Sequence, residues 1–180
     1  MSTLVLKAAE LIDQFETIEV IVTKDLNNLD LATLKIPRLR KGEIVDLPLW
    51  IALELIKLNV VTLNLDDEIT WLSRVHWREK VQLPKGSLAL SSIPANFYSR
   101  IRGLSEFIKF ARREGDVRIK QAKNFYEEIV RRRTHIIAEL SFLERVNVDL
   151  RAKLAVREKA LLSSIKGILE DWFKEVFKEW

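Results

Sequence analysis

The stretch KIPRLRKGEIVDLPLWIALELIKLN, residues 35–59, decides how the rest of the chain is read. Residues 34–36 have the composition of a strand, which Pro37 stops because it has no N–H to give to a ladder. Four closely spaced cations, Lys35, Arg38, Arg40 and Lys41, flank a turn that Gly42 supplies before a second short strand over 43–47. Pro48 fits the first turn of a helix, where the N–H it lacks is not needed, and Ala52, Leu55 and Ile56 carry an apolar face on to Leu58. Trp50 and Leu55 are expected in the core of this small unit.

Working outward toward the N-terminus, Ile18, Val20 and Val22 recur at every second position through ETIEVIVT, and the β-branched content predicts a strand. Before it, Leu4, Ala8, Leu11, Ile12 and Phe15 recur at helical spacing. Residues 24–28 have the Asp/Asn content of a turn, and residues 60–63 make another β-type run. Residues 1–64 thus read as a small β-rich domain with one packed helix, a size that is marginal alone.

From Asn64 onward only helices are predicted. Asn64 with Asp67 three residues on forms a start signal, and Ile69, Leu72, Val75 and His76 keep helical spacing over 66–80. LPKGSLALSSIP, residues 83–94, is a connector, and Pro94 opens a second helix carrying Phe97, Ile101, Leu104, Ile108 and Ala111, which Gly115 ends. A third helix is expected from Asp116 to the low 150s, with Ile119, Ala122, Tyr126, Ile129, Ile136, Ile137, Leu140 and Leu143 on its core side. After a break near 153–155, a last helix carries Leu161, Ile165, Ile168, Trp172 and Val176. The fold class is therefore α+β, a small mixed β domain at 1–64 followed by a mainly α-helical bundle domain at 65–180.

Composition narrows the function classes. With 180 residues, 48% of them hydrophobic and 31% charged, the chain can bury a core. No apolar run approaches the ~20 residues that a membrane span needs, and the first residues carry acids early without a small-residue cleavage site, so a cytoplasmic protein is expected. The absence of cysteine excludes disulfides, thiolate metal sites and a Cys nucleophile. Charge is unevenly shared: residues 1–65 hold 7 Lys/Arg against 9 Asp/Glu, net −2, and the rest hold 23 against 17, net +6.

Catalytic chemistry lacks its usual supports. His76 and His135 fall in separate predicted helices without metal-ligand spacing, and both read as structural or solvated. The carboxylates Asp66, Asp67 and Glu68, and Glu127 with Glu128, lie where helix starts and exposed faces ordinarily place acids. Neither a phosphate-binding Gly-rich loop nor a G-x-S-x-G elbow occurs. No enzyme, cofactor or metal is predicted.

Two helices carry more apolar surface than one packed face buries. Phe107 and Phe110 fall about 80° and 140° from the stripe of the second helix, and Trp172, Phe173 and Phe177 widen the last helix to about 180° against the usual ~100°. A central core helix would explain this, but an obligate partner is the preferred explanation, with Phe107, Phe110, Trp172, Phe173 and Phe177 as subunit contacts. Between 102 and 133 lie ten Lys/Arg against five Asp/Glu, including Arg112, Arg113 and the run Arg131, Arg132, Arg133. Consecutive helical residues point ~100° apart and cannot line one groove, so ion pairing is favoured over phosphate contact. Arg38, Arg40, Lys41, Arg112 and Arg113 are the candidate contacts to a partner or to nucleic acid.

Taken together, IPRLRKGEIVDLPLWIALELIKLNVV resembles the small domain of the GINS family, with its basic-Gly turn, acidic-apolar strand, Leu-Pro-Leu-Trp and amphipathic helix. EITWLSRVHWREKVQ and IPANFYSRIRGLSEF, with the Phe97-Tyr98 pair just after Pro94, resemble the first helices of that family's α-helical domain. The likeness runs in one order over residues 18–110, and the small-domain-first arrangement is similar to one archaeal subunit type. The resemblance implies a non-catalytic DNA-replication protein associated with the nucleoid. It implies assembly with a second GINS subunit, commonly as a 2:2 heterotetramer, and contacts with the MCM helicase and a RecJ-like partner. Contacts with primase or polymerase are also attributed to the family. The alternative from charge alone is a basic helical nucleic-acid-binding module.

Overall fold

The alternation that predicts the first strand is realised as burial: Ile18, Val20 and Val22 of β1 (Thr17–Val22) are buried while Thr17 and Glu19 face solvent. The structure, a computed structural model, describes residues 2–31, 34–80, 88–111 and 115–178. Before β1 runs α1 (Ser2–Phe15); after it come β2 (Leu29–Leu31), β3 (Leu34–Ile36), β4 (Ile44–Pro48), α2 (Leu49–Lys57) and β5 (Val61–Thr62). The helices α3 (Leu65–Lys80), α4 (Phe97–Phe110), α5 (Val117–Ser141), α6 (Val148–Ala152) and α7 (Val156–Phe177) complete an α+β chain. Contacts divide it into two units, one of residues 13–71 and 96–120, the other of residues 1–12, 72–95 and 121–180. This division differs from a single cut after residue 64.

The first unit contains the sheet. β1 pairs antiparallel with β4 on one side and β5 on the other, in the order β4-β1-β5, with Val20 opposite Val45 and Val22 opposite Val61. β2 and β3 form a separate antiparallel pair with Asp30 opposite Lys35. At the turn before β4, Gly42 takes φ +90°, a conformation that L side chains rarely adopt. The Gly42 N–H donates to the Val22 carbonyl and Val22 N–H to that of Glu43, which ties the turn to β1. Pro48 ends β4, and the Leu49 N–H that follows donates to the Glu16 carbonyl. The sheet and α2 share a core of Ile18, Val20, Val22, Leu47, Leu49, Ile51, Leu55 and Ile56.

Helix α4 belongs to this unit because the sequence lets it come close. A Cβ built at Gly103 would lie 2.9 Å from Ile18 Cδ1 and 3.5 Å from Leu49 Cδ1, so only glycine fits this approach without a shift. The next residue, Leu104, joins Leu65 and Ile119 in a second cluster, with Phe107 packed against both that cluster and the sheet core. Glu68 corrects its expected place on an exposed helix start: it is buried, and both its oxygens accept from Arg100, at 2.7 and 2.9 Å. The Arg100 guanidinium also lies 4.2 Å from the ring centroid of Trp71, which in turn is 5.8 Å from buried Phe97. Trp50 corrects its expectation as well, since 37% of it is exposed although Leu55 and Ile56 beside it are buried.

The second unit is helical, with a core of Leu90, Ile136, Ile137, Leu140, Leu154 and Leu162. Leu90 is fully buried although residues 88–94 form no helix or strand. Helix α5 stops at Ser141, about ten residues before the expected end. Asn147 supplies the reason, since its side chain caps a new helix, α6, by accepting from the Asp149 N–H at 2.8 Å, and Asn competes well for such positions. Leu143 is consequently exposed instead of lying on the core side. In α1 the helix is as expected, but Leu4, Leu11, Ile12 and Phe15 are exposed, and Ala9 and Asp13 are buried.

The two helical glycines Gly103 and Gly167 provide a paired test of this packing, because a Cβ at Gly167 would meet nothing within 4 Å. Gly167→Ala should gain about 1 kcal/mol from helix propensity alone. Gly103→Ala should gain clearly less, or lose stability, because the added methyl must displace Ile18. Urea unfolding midpoints of the two variants decide it, and equal gains would mean that α4 does not approach β1 this closely.

Candidate functional site

The most elaborate arrangement of polar groups is buried. Arg133, on the core side of α5, has no exposed surface, so an unpaired guanidinium there would be prohibitive. Its Nε and Nη2 donate to the two oxygens of Glu158 at 2.6 and 2.8 Å, and its Nη1 donates to Glu79 at 3.0 Å. The carbonyls of Ser91 and Lys153 accept from the remaining donors at 3.0 and 2.9 Å. Glu79, on the last turn of α3, also accepts from the N–H and hydroxyl of Ser91, and Arg132 lies 3.6 Å away. Glu158 is the third residue of α7, where it also takes the Ala155 N–H at 2.9 Å. Every donor of the arginine is thus directed at an acceptor.

A smaller cluster joins α3 to α5 at the surface. His76 stacks on Phe125 with ring centroids 4.5 Å apart, and its Nε2 lies 2.7 Å from a Glu128 oxygen that also accepts from Lys80. The Lys80 and then the His76 hydrogen bond hold the Glu128 carboxyl below the ordinary carboxylate range. His135 is exposed and within 3.0 Å of Glu139. Among the described residues no group of three or more His, Cys, Asp or Glu is arranged to hold a metal ion.

The apolar residues expected at subunit contacts separate into two kinds. Helix α7 buries Ala160 and Leu162 in its first half, but its second half leaves Ile168, Trp172, Phe173 and Phe177 exposed by 60, 55, 37 and 66%. Trp172 meets Phe173 edge-on at 5.2 Å and Phe173 stacks on Phe177 at 5.8 Å, which makes a continuous aromatic ridge. Phe110 is also exposed and lines a groove with Trp50, Leu53 and Ile56, walled by the ion pairs Lys57–Glu54 and Lys109–Glu106. Phe107 differs from the others, being half-buried against two clusters of its own unit, so most of its apolar surface is used within the chain.

The basic candidates separate as well. Arg38 is 4.0 Å from Asp25 and Lys35 is 3.7 Å from Asp30, both exposed pairs of small energetic weight. At Arg40 and Lys41 it is the backbone N–H groups that are held, by Glu43 and Asp25, while the side chains project from the turn without an acidic partner among the described residues. Arg112 and Arg113 lie outside the described residues. In the run 131–133, Arg131 is near Glu127, Arg132 reaches Glu79 and the Ala89 carbonyl, and Arg133 is buried. These three cations serve ion pairing within the chain, and the sequence signal for Arg133 is its place four residues after Ile129 and three before Ile136, on the apolar stripe.

No helix among the described residues is long and apolar enough to cross a membrane. No model of a known protein family matches the chain, and no curated protein matches it.

Replacing Arg133 by Met should cost about 3–5 kcal/mol, because two buried carboxylates lose their counter-charge. Adding Glu79→Leu and Glu158→Leu to Arg133→Met should restore part of that loss, as chemical denaturation of the single and triple variants would show. For Glu128 the sign follows from its lowered pKa: the stability it contributes is complete above the carboxylate range and is lost as pH falls through the folded value. Glu128→Gln should therefore be less stable than the parent at pH 7 and indistinguishable from it near pH 2, measured by thermal melts at both; a gap that persists in acid would refute the electrostatic explanation.

Proposed function

We propose that this chain is a non-catalytic accessory subunit of a GINS replication complex, supporting the MCM helicase at the fork through protein–protein contacts. The observation that carries the proposal is the uncovered aromatic ridge on the second half of α7, Trp172, Phe173 and Phe177. Exposed apolar patches of this kind mark surfaces that another protein covers. The order of segments along the chain supplies the family: a basic-Gly turn, a Leu-Pro-Leu-Trp helix entrance, then helices opening with Phe97-Tyr98. In this reading the ridge meets a second GINS subunit, with two copies of each forming a heterotetramer. The small sheet unit, with Arg38, Arg40 and Lys41 on its turn, is a site for outside contacts with the helicase, a RecJ-like partner, primase or polymerase. The Arg133 cluster gives the helical unit a rigid frame for such an assembly.

Expressed alone, the chain should self-associate, and co-expression with a GINS subunit of the opposite domain order should yield one hetero-oligomer of defined mass. Trp172→Glu with Phe177→Glu should abolish that complex while leaving the circular dichroism of the chain unchanged. A monodisperse monomer indifferent to the second subunit, by light scattering, would overturn the assignment.

A further inference from the structure

The turn after α5, together with α6 and the first half of α7, encloses a recess of about 370 Å³ lined by Glu144, Arg145, Val146, Arg151, Lys159, Leu162, Ser163 and Lys166. Four cations face one acid there, a density of like charge that the folding of the chain does not explain. Arg145, Arg151 and Lys159 are exposed and make no ion pair or side-chain hydrogen bond among the described residues. Lys166 donates to the Leu143 carbonyl at 2.6 Å, which fixes the wall of the recess against α7. Converging like charges repel one another, and an anion bound between them would relieve that repulsion.

The layout specifies the kind of anion. Lys159, Ser163 and Lys166 stand at i, i+4 and i+7 on one face of α7, so the first and last are separated by about 10 Å along the helix axis at ~1.5 Å per residue. A single phosphate cannot reach both ends of such a row, whereas a ligand bearing several spaced negative charges can. Arg145 and Arg151 line the same recess from outside α7, and Arg can offer a planar fork to phosphate oxygens. Three of the four cations are exposed, which suits a chain that passes through and continues beyond the recess. Aromatic side chains are missing from the lining, which favours contact with a backbone over stacking of bases.

We propose that this recess binds the phosphodiester backbone of a nucleic-acid strand, without base-specific contacts. The site is separate from Arg38, Arg40 and Lys41, and it does not depend on the subunit assignment.

Fluorescence anisotropy of the full chain with a labelled single-stranded DNA oligonucleotide of mixed sequence, titrated at several salt concentrations, tests it. The chain should bind with an affinity that falls linearly on a log–log plot against salt. Arg145→Gln with Arg151→Gln and Lys159→Gln should reduce the magnitude of that slope by about 2, at ~0.7 per lost contact to a single strand. Arg38→Gln with Arg40→Gln and Lys41→Gln should leave the slope unchanged. Should the recess variant fail to fold by circular dichroism, Arg151→Gln alone, with a slope change of about 0.7, decides the matter. Absence of oligonucleotide binding at low salt, an unchanged slope in the recess variant, or binding of inorganic tripolyphosphate without binding of the oligonucleotide would each overturn the proposal.

Discussion

The helical unit depends on one buried charge. Arg133 is held by carboxylates from the end of α3 and the start of α7 and by carbonyls from residues 91 and 153, so a single side chain on α5 touches four separate pieces of chain. The desolvation of three charges is expensive, and the ion pairs recover it only because nearly every polar atom finds a partner. One Glu79 oxygen makes no hydrogen bond, although Arg132 lies nearby. The value of such a cluster lies less in net stability than in excluding alternatives: a one-residue slip of α5 would move Arg133 about 100° around its axis and strand both carboxylates. The apolar residues around it, Ile136, Ile137 and Leu140, tolerate rearrangement far better than the ion cluster does.

Helix α7 divides its sequence between two tasks. Glu158, Ala160 and Leu162 are committed to the interior, by charge at the first turn and by packing after it. Beyond Ile165 the same apolar spacing continues, and among the described residues Ile168, Trp172, Phe173 and Phe177 stay exposed. A helix of 22 residues can serve both because its first turns are anchored by Arg133, which frees the remainder from contributing to the fold. Lys159, Ser163 and Lys166 occupy a further face of the same helix, so core, ridge and basic recess share one element.

Much of this architecture can be read in the sequence, and the failures have identifiable physical causes. The strand at Ile18, Val20 and Val22, the turn at Gly42 and the helices opening near Leu65 and Phe97 follow from periodicity and turn chemistry. Apolar spacing runs past the end of α5 because the new start is set by the Asn147 side-chain cap, a local hydrogen bond that periodicity does not register. The hairpin strand β2 is not legible because three residues carry too little periodicity to register. Apolar pattern alone also misplaced Trp50 and Leu143, and it misread the outward faces of α1, since it tells which residues share a side and not which side is covered. Among the polar groups, the proximity of Arg133 to an apolar stripe was visible. Its partners Glu79 and Glu158 were not, being 54 and 25 residues away. The basic recess depends on the turn at 142–147, which periodicity had run through as continuous helix.

The segment 88–93 gains an unusual property from this frame. It has no ladder or helical hydrogen bonds of its own, yet the Ser91 N–H is given to buried Glu79, the Ser91 carbonyl to Arg133, and Leu90 to the core. Its opening therefore requires the separation of the same charges that join α3, α5 and α7. An irregular stretch of backbone is in this way made part of the cooperative unit, and its Ser91 amide is expected to exchange with solvent on the timescale of the helices instead of that of a loop.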